Sequence, residues 1–290
     1  MHPLTGAQID FPIVIRHCAI LLTLLLSPSA IDLSPQTLPA PPAAPSPPTL
    51  PVAADTASAN SLPDATELLQ AFIRAVGGEV AIHSIQTMEV QGQIRLPGGR
   101  TPGQFQWVVA SGGRAFFQTQ FPGLGRTAFG SDGKTGWSLL ELPGDHHSEA
   151  VSLVDIERRR QRANWFELAF TLPRRATAMH TVGPAAFEGT PAWEVSLERI
   201  DGRTERLFLD RASKLLLGVT TAIDTDPKSP MITVRFSDWR KVGDLRLFHR
   251  IVIAGGRTRV QLDITKISMT DVDDAIFAPP DELVTTEDDD

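Results

Sequence analysis

From Met88 to Leu96 apolar and polar residues alternate, with Met88, Val90, Gly92, Ile94 and Leu96 set against Glu89, Gln91, Gln93 and Arg95. A period of two places the two sets on opposite faces of a β-strand, one dry and one wet. The pattern returns in Phe105, Trp107 and Val109, in Ala115, Phe117, Thr119 and Phe121, and in Trp137 with Leu139. It continues in Trp193, Val195 and Leu197, then in Ile232, Val234 and Phe236. Two longer runs close the series: Leu245, Leu247, Ile251 and Ile253, then Val260, Leu262 and Ile264. Between runs stand Gly98-Gly99, Gly112-Gly113 and Gly255-Gly256, and also Asp132-Gly133, Glu188-Gly189 and Asp201-Gly202. Such pairs accept the positive φ of tight hairpin turns, so successive strands are antiparallel neighbours, about ten or eleven in all.

Two stretches break this rhythm. Leu68, Leu69, Phe72, Ile73 and Val76 recur at helical spacing after Pro63-Asp64, and Gly77-Gly78 supplies the stop. A shorter turn from Glu79 to Ile85 follows. Midway along the strand series, Ile156, Ala163, Phe166, Leu168, Ala169 and Phe170 are spaced among Glu157, Arg158, Arg159 and Arg160. That pattern predicts a second amphipathic helix over 153–170, ended by Pro173, with Arg158 to Arg162 on its wet side. The layout is mainly β (α+β): helix, about five strands, helix, about six strands. Such a sheet buries its dry face by curling around its two or three helices.

The N-terminal region obeys different rules. Arg16 and His17 precede an apolar run from Cys18 to Leu26, and Ser27-Pro28-Ser29-Ala30 follows. A positive flank, a short apolar core and small residues are the parts of a secretory signal peptide, assigned to residues 1–30. An uncleaved leader kept as an anchor stays open as an alternative. Cys18 is the sole cysteine. It precedes the apolar run rather than following it, so a lipidated cysteine does not fit. Prolines at 35, 39, 41, 42, 45, 47, 48 and 51 make residues 31–62 an extended linker, at about 3.1 Å per residue where it is polyproline II. Residues 63–282 then form one β domain, and 283–290 are an acidic tail. The expected location is the periplasm or cell envelope.

Charge and motifs narrow the function. The net charge of −7 excludes a whole-chain footprint for nucleic acid. His146-His147 beside Asp145 and Glu149 lacks a third spaced ligand, so it reads as an exposed loop rather than a zinc site. Asp271-Val272-Asp273-Asp274 opens like a calcium loop, but Ile276 stands where an EF-hand needs glycine. Gly130-Ser131-Asp132-Gly133 lacks the spacing of a nucleophile elbow. No phosphate loop or dinucleotide fingerprint is present. The expectation is a monomeric protein that is not an enzyme and holds no metal or cofactor.

Several phrases resemble a known superfamily. Residues 129–139, from Phe129-Gly130-Ser131-Asp132-Gly133 to Trp137-Ser138-Leu139, are similar to a hairpin of outer-membrane lipoprotein-sorting (LolA-like) proteins. So are Glu188-Gly189 with Ala192-Trp193-Glu194-Val195, and Leu207-Phe208-Leu209-Asp210 with Leu215-Leu216. Phe236-Ser237-Asp238-Trp239-Arg240 and Asp273-Asp274-Ala275-Ile276-Phe277-Ala278-Pro279-Pro280 complete the series in the superfamily's order. One departure is Gly243-Asp244-Leu245-Arg246-Leu247-Phe248, which lacks the usual proline. The resemblance implies a half-open antiparallel β-barrel, its mouth covered by helices, whose interior can hold acyl chains. Trp107, Phe117, Trp137, Trp165, Phe166, Trp193 and Phe236 are then candidates for lining that cavity, although core packing accounts for the same pattern. Two readings stay open. One is an envelope binding protein for a lipid or lipoprotein acyl chains; the other is a tethered interaction domain holding a protein partner.

Overall fold

Asp64 starts the first element. Its carboxylate accepts the backbone N–H of Thr66 at 2.7 Å and of Glu67 at 3.2 Å, capping helix α1 (Ala65–Ala75). Leu68, Leu69, Phe72 and Ile73 share its buried face. At the other end the Gly77 N–H reaches the Arg74 carbonyl at 3.2 Å, and the Gly78 N–H reaches that of Ile73 at 2.8 Å. This paired closure needs a left-handed residue after the helix, which glycine supplies without strain. A one-turn helix, α2 (Glu79–His83), leads into the sheet.

The structure is a computed structural model that describes residues 62–284, apart from 100, 164–165, 167–175, 200–201, 223–228 and 257. The predicted leader, nearly all of the linker, Pro173 and most of the acidic tail lie outside the described residues. The first meander is β1 (Thr87–Arg95), β2 (Gly103–Ala110), β3 (Ala115–Phe121), β4 (Gly125–Ser131), β5 (Gly136–Leu142) and β6 (Asp145–Val151). Helix α3 (Leu153–Ala163) follows. The second meander is β7 (Ala176–Phe187), β8 (Thr190–Arg199), β9 (Thr204–Asp210), β10 (Leu216–Ala222), β11 (Met231–Val242), β12 (Leu245–Gly255) and β13 (Thr258–Ser268). A short helix, α4 (Asp281–Val284), lies near the C-terminus.

All of these strands form one antiparallel sheet, ordered β6-β5-β4-β3-β2-β1-β13-β12-β11-β10-β9-β8-β7. The first and last strands meet in the middle, in register from Glu89 opposite Ser268 to Arg95 opposite Gln261. Each meander grows outward from that seam by hairpins. The free edges, β6 and β7, do not pair with each other, so the sheet curls without closing. Phe117 and Phe129 of the first meander join Leu197 and Leu207 of the second, with Phe72 of α1, in one continuous core on the concave side. The architecture is a half-open β-barrel with helices over its concave face.

The sheet has 13 strands, more than the alternation predicts. The excess has a physical cause. Every described side chain of β6 is exposed or half-buried, and only Gly183 and Phe187 are buried on β7. Alternation records burial of one face, and an edge strand that is wet on both faces carries no such record. His146 and His147 accordingly sit on β6 rather than in a loop.

The chain beyond β13 passes to the convex side. There Phe277 is buried with Val108, Phe116, Ala128, Trp137 and Leu139 in a second, smaller core. Among the described residues no helix is long and apolar enough to cross a membrane.

Candidate functional site

The concave face carries two groups of aromatic rings. In the first meander Phe105 and Trp107 lie with centroids 4.7 Å apart, Trp107 and Phe117 6.1 Å apart, and Phe117 stacks on Phe129 at 4.7 Å. These four come from β2, β3 and β4, one or two from each strand, because their positions share the inward phase. The second group centres on Phe248. Phe166 stacks on it at 4.2 Å with the rings 4° from parallel, Phe236 lies at 4.7 Å, and Trp239 meets it edge-on at 5.3 Å. Trp239 in turn meets Phe72 of α1 edge-on at 6.3 Å.

The sequence candidates divide among three places. Trp107, Phe117, Phe166 and Phe236 belong to the concave core. Trp193 is half-buried against the edge of that core, with the Arg211 guanidinium 4.7 Å above its ring. Trp137 lies on the other side of the sheet. It crosses Gly130, where an added Cβ would come within 2.6 Å of the indole, and its indole N–H donates to the Phe277 carbonyl at 3.1 Å. Trp137 therefore does not face the interior, and the C-terminal segment covers it. Trp165 and Phe170 lie outside the described residues.

Alternation did not single out Phe248. Leu247, Phe248 and His249 are buried in succession, which breaks the period of two. Across the ladder from this stretch Asp238 adopts φ 57°, a left-handed conformation, between Ser237 opposite Arg250 and Trp239 opposite Phe248. The local twist brings both Phe248 and Trp239 to the concave core, and no repeating pattern signals it.

Helix α3 differs in polarity from the expectation. Ile156 is buried, as predicted, at 3% exposure. The side chains of Arg159 and Arg160, however, are only 15% and 20% exposed rather than on a free wet face. Arg160 pairs with Glu157 at 2.7 Å. Burial pulls the Arg159 pKa down, opposed by Glu149 and Asp155. Arg158 and Arg162 have no described side chains.

The concave core is tightly filled in this conformation: Phe72, Phe166, Phe236, Phe248 and Leu207 are all less than 2% exposed. Two hollows lie at the periphery. One, of about 330 Å³, is on the convex side and is lined by Thr87, Arg114, Asp271, Val272, Asp274 and Phe277. The other, of about 360 Å³, lies between the end of α1 and the β11–β12 turn. Among the described residues no three His, Cys, Asp or Glu side chains come together as metal ligands.

No family model and no curated protein matches the chain. Solved structures do. A LolA superfamily protein from Nitrosomonas europaea is 12% identical, with 75% of this chain and 98% of that one covered and a TM-score of 0.49. A domain from Vibrio parahaemolyticus, described as an outer membrane lipoprotein-sorting protein, is 14% identical over 75% and 96% of the two chains, with a TM-score of 0.48. A DUF1329 family protein from Desulfovibrio piger is 11% identical over 73% and 96%, with a TM-score of 0.49. In structure, as in its hairpin phrases, the chain resembles LolA superfamily proteins.

Proposed function

We propose that this protein is a non-enzymatic, extracytoplasmic binding protein that holds a hydrophobic ligand, a lipid or an acyl chain, on the concave face of its half-open sheet. The observation that carries the reading is the position of Phe166. It comes from the connection between the two free edges, is 1% exposed, and stacks on Phe248 in the concave core. This ring is an apolar plug delivered by a segment outside the sheet. Its withdrawal opens an apolar groove without breaking one strand ladder, and a flexible chain of CH2 groups can replace it at about 0.8 kcal/mol per buried CH2.

Capture of a protein partner by strand addition is the competing reading, and the edges weigh against it. β7 has register shifts between Ala176 and Ala178 and between Thr181 and Gly183, and it contains Pro184. β6 carries Asp145, His146, His147 and Glu149. Bulges, proline and charge are the devices that blunt an edge against further pairing. The extracytoplasmic location rests on the leader pattern of residues 1–30 and the proline-rich stretch after it.

Native mass spectrometry on protein purified gently from an envelope fraction tests the ligand. The expected spectrum contains adducts with lipid masses that a competing single-chain amphiphile displaces. A protein that is free of adducts and takes up no amphiphile overturns the reading.

A further inference from the structure

The hollow between α1 and the β11–β12 turn combines features that core packing does not require. Its wall is formed by close approach of two backbones. Gly77 has φ +128°, and a Cβ there would lie 2.6 Å from the Asp244 carbonyl oxygen and 2.9 Å from Leu245. The Val76 carbonyl accepts the Arg246 N–H at 2.9 Å. The helix end is thereby pressed onto the strand turn. Arg74 of α1, Lys241 of β11 and Arg246 of β12 consequently line one hollow of about 360 Å³.

These cations are exposed, and among the described residues none holds a carboxylate. Elsewhere on this acidic chain many arginines are paired, as Arg126 is with Glu141 and Arg206 with Glu194, while Arg211 lies over the Trp193 ring. Among the described residues Asp244 is the one carboxylate lining the hollow. The helix end accounts for Arg74 in part, since its partial negative charge attracts a cation. It does not account for Lys241 and Arg246, because the carbonyls of Phe72, Ile73, Arg74 and Val76 already accept backbone N–H groups.

The inner wall is apolar. Leu245 is 2% exposed, and Trp239 packs on Phe72 and on Phe248, the ring that Phe166 covers. The Trp239 indole N–H is buried and has no acceptor among the described residues. Unpaired cations at the rim and rings leading to the concave core match a molecule with an anionic head and an apolar tail. Resting on the hydrophobic-ligand reading above, we infer that the ligand is an anionic amphiphile. Its phosphate-class head group sits at Arg74, Lys241 and Arg246, and its chain enters the core beside Trp239. Arg and Lys together supply the forked and point-charge donors that phosphate oxygens accept.

The test compares three probes on the full chain: a single-chain lysophosphatidylglycerol, the uncharged monoacylglycerol of equal chain length, and glycerol 3-phosphate. The wild type is expected to bind the lysophospholipid about tenfold more tightly than the monoacylglycerol, with the preference shrinking as salt rises. In the variant R74Q/K241Q/R246Q that preference is expected to vanish, the lysophospholipid affinity falling about tenfold to that of the monoacylglycerol. The single variants K241Q and R246Q, each losing part of the preference, serve if the triple variant melts early. Equal binding of both amphiphiles by the wild type, or a preference that survives the triple variant, overturns the head-group site and leaves the apolar-ligand reading standing. Glycerol 3-phosphate binding as tightly as the lysophospholipid makes the site one for a free phosphate ester and overturns the amphiphile. Failure of both amphiphiles to bind overturns the two readings together.

Discussion

The two faces of the sheet are covered by different means. On the concave side α1, Phe166 and strands from both meanders share one continuous core. On the convex side a few residues after β13 lay Phe277 over Trp137, Phe116 and Val108. The concave cover begins with a helix of high local order, fixed by a carboxylate cap and a two-glycine stop. The convex cover is a short segment held by one indole-to-carbonyl hydrogen bond and an ion pair from Arg114 to Asp274, with the Arg114 guanidinium 5.2 Å above the Phe277 ring. The same sheet thus has a side built for permanence and a side merely closed off. Within the concave side two equally buried rings come from different places, Phe72 from a capped helix and Phe166 from between the two edge strands.

Truncation series sharpen that contrast. Phe72→Ala should cost the most, about 4 kcal/mol, because a 1% exposed ring on a rigid helix leaves a cavity its neighbours cannot fill. Denaturant unfolding measures it, and a loss no greater than that of the other variants would erase the distinction. Phe277→Ala should cost less, about 3 kcal/mol, since the short segment can settle onto Trp137. It should leave binding of an apolar fluorescent probe unchanged; altered probe binding would mean that the two faces communicate.

Phe166→Ala is expected to cost only about 1–2 kcal/mol, because a ring that an acyl chain can replace occupies a site that collapses more readily than one beneath a capped helix. Probe affinity should rise several-fold as the groove opens. A cost equal to that of Phe72→Ala with unchanged probe binding would make Phe166 an ordinary core residue and remove the plug from the functional reading.

The smallest effect is electrostatic and lies on the first meander. Arg126 grips Glu141 through Nε at 2.8 Å and Nη2 at 2.5 Å. That hydrogen bond holds the Glu141 carboxyl below its usual range, with burial opposing. A depressed folded pKa stabilises above the unfolded value, and the contribution is lost as pH falls through the folded one. The stability gap between wild type and Glu141→Gln should therefore narrow as pH drops from about 6 to about 3. Both side chains are more than a third exposed, so added salt should narrow the gap as well. A gap that widens toward low pH would contradict the assignment.

Local chemistry made much of this architecture legible. Helix α1 could be read with its start at Asp64 and its stop at Gly77-Gly78, because cap and stop are side-chain and backbone effects within a few residues. The two-residue period marked the central strands, where one face is dry. It gave no run for β6 and β7, whose side chains are largely wet, nor for the shorter, part-buried β4, β9 and β10. Of the residues it proposed for the site, Trp107, Phe117 and Phe236 lie in the concave core. It could not tell that Trp137 faces the other way, since alternation shows that a face is covered and not what covers it.

The sequence by itself determined the local elements and their antiparallel succession, because hairpin turns and periodicity act over ten or twenty residues. Only the tertiary structure decided which strands close the seam, β1 against β13, and so which are left as edges. It also decided that Phe248 and Trp239 turn inward opposite the left-handed Asp238, and that Arg74 meets Lys241 and Arg246 in one hollow. Those residues lie far apart in the chain. Their meeting depends on how a long twisted sheet curls around α1, a balance of packing over the whole domain that no short stretch of residues encodes.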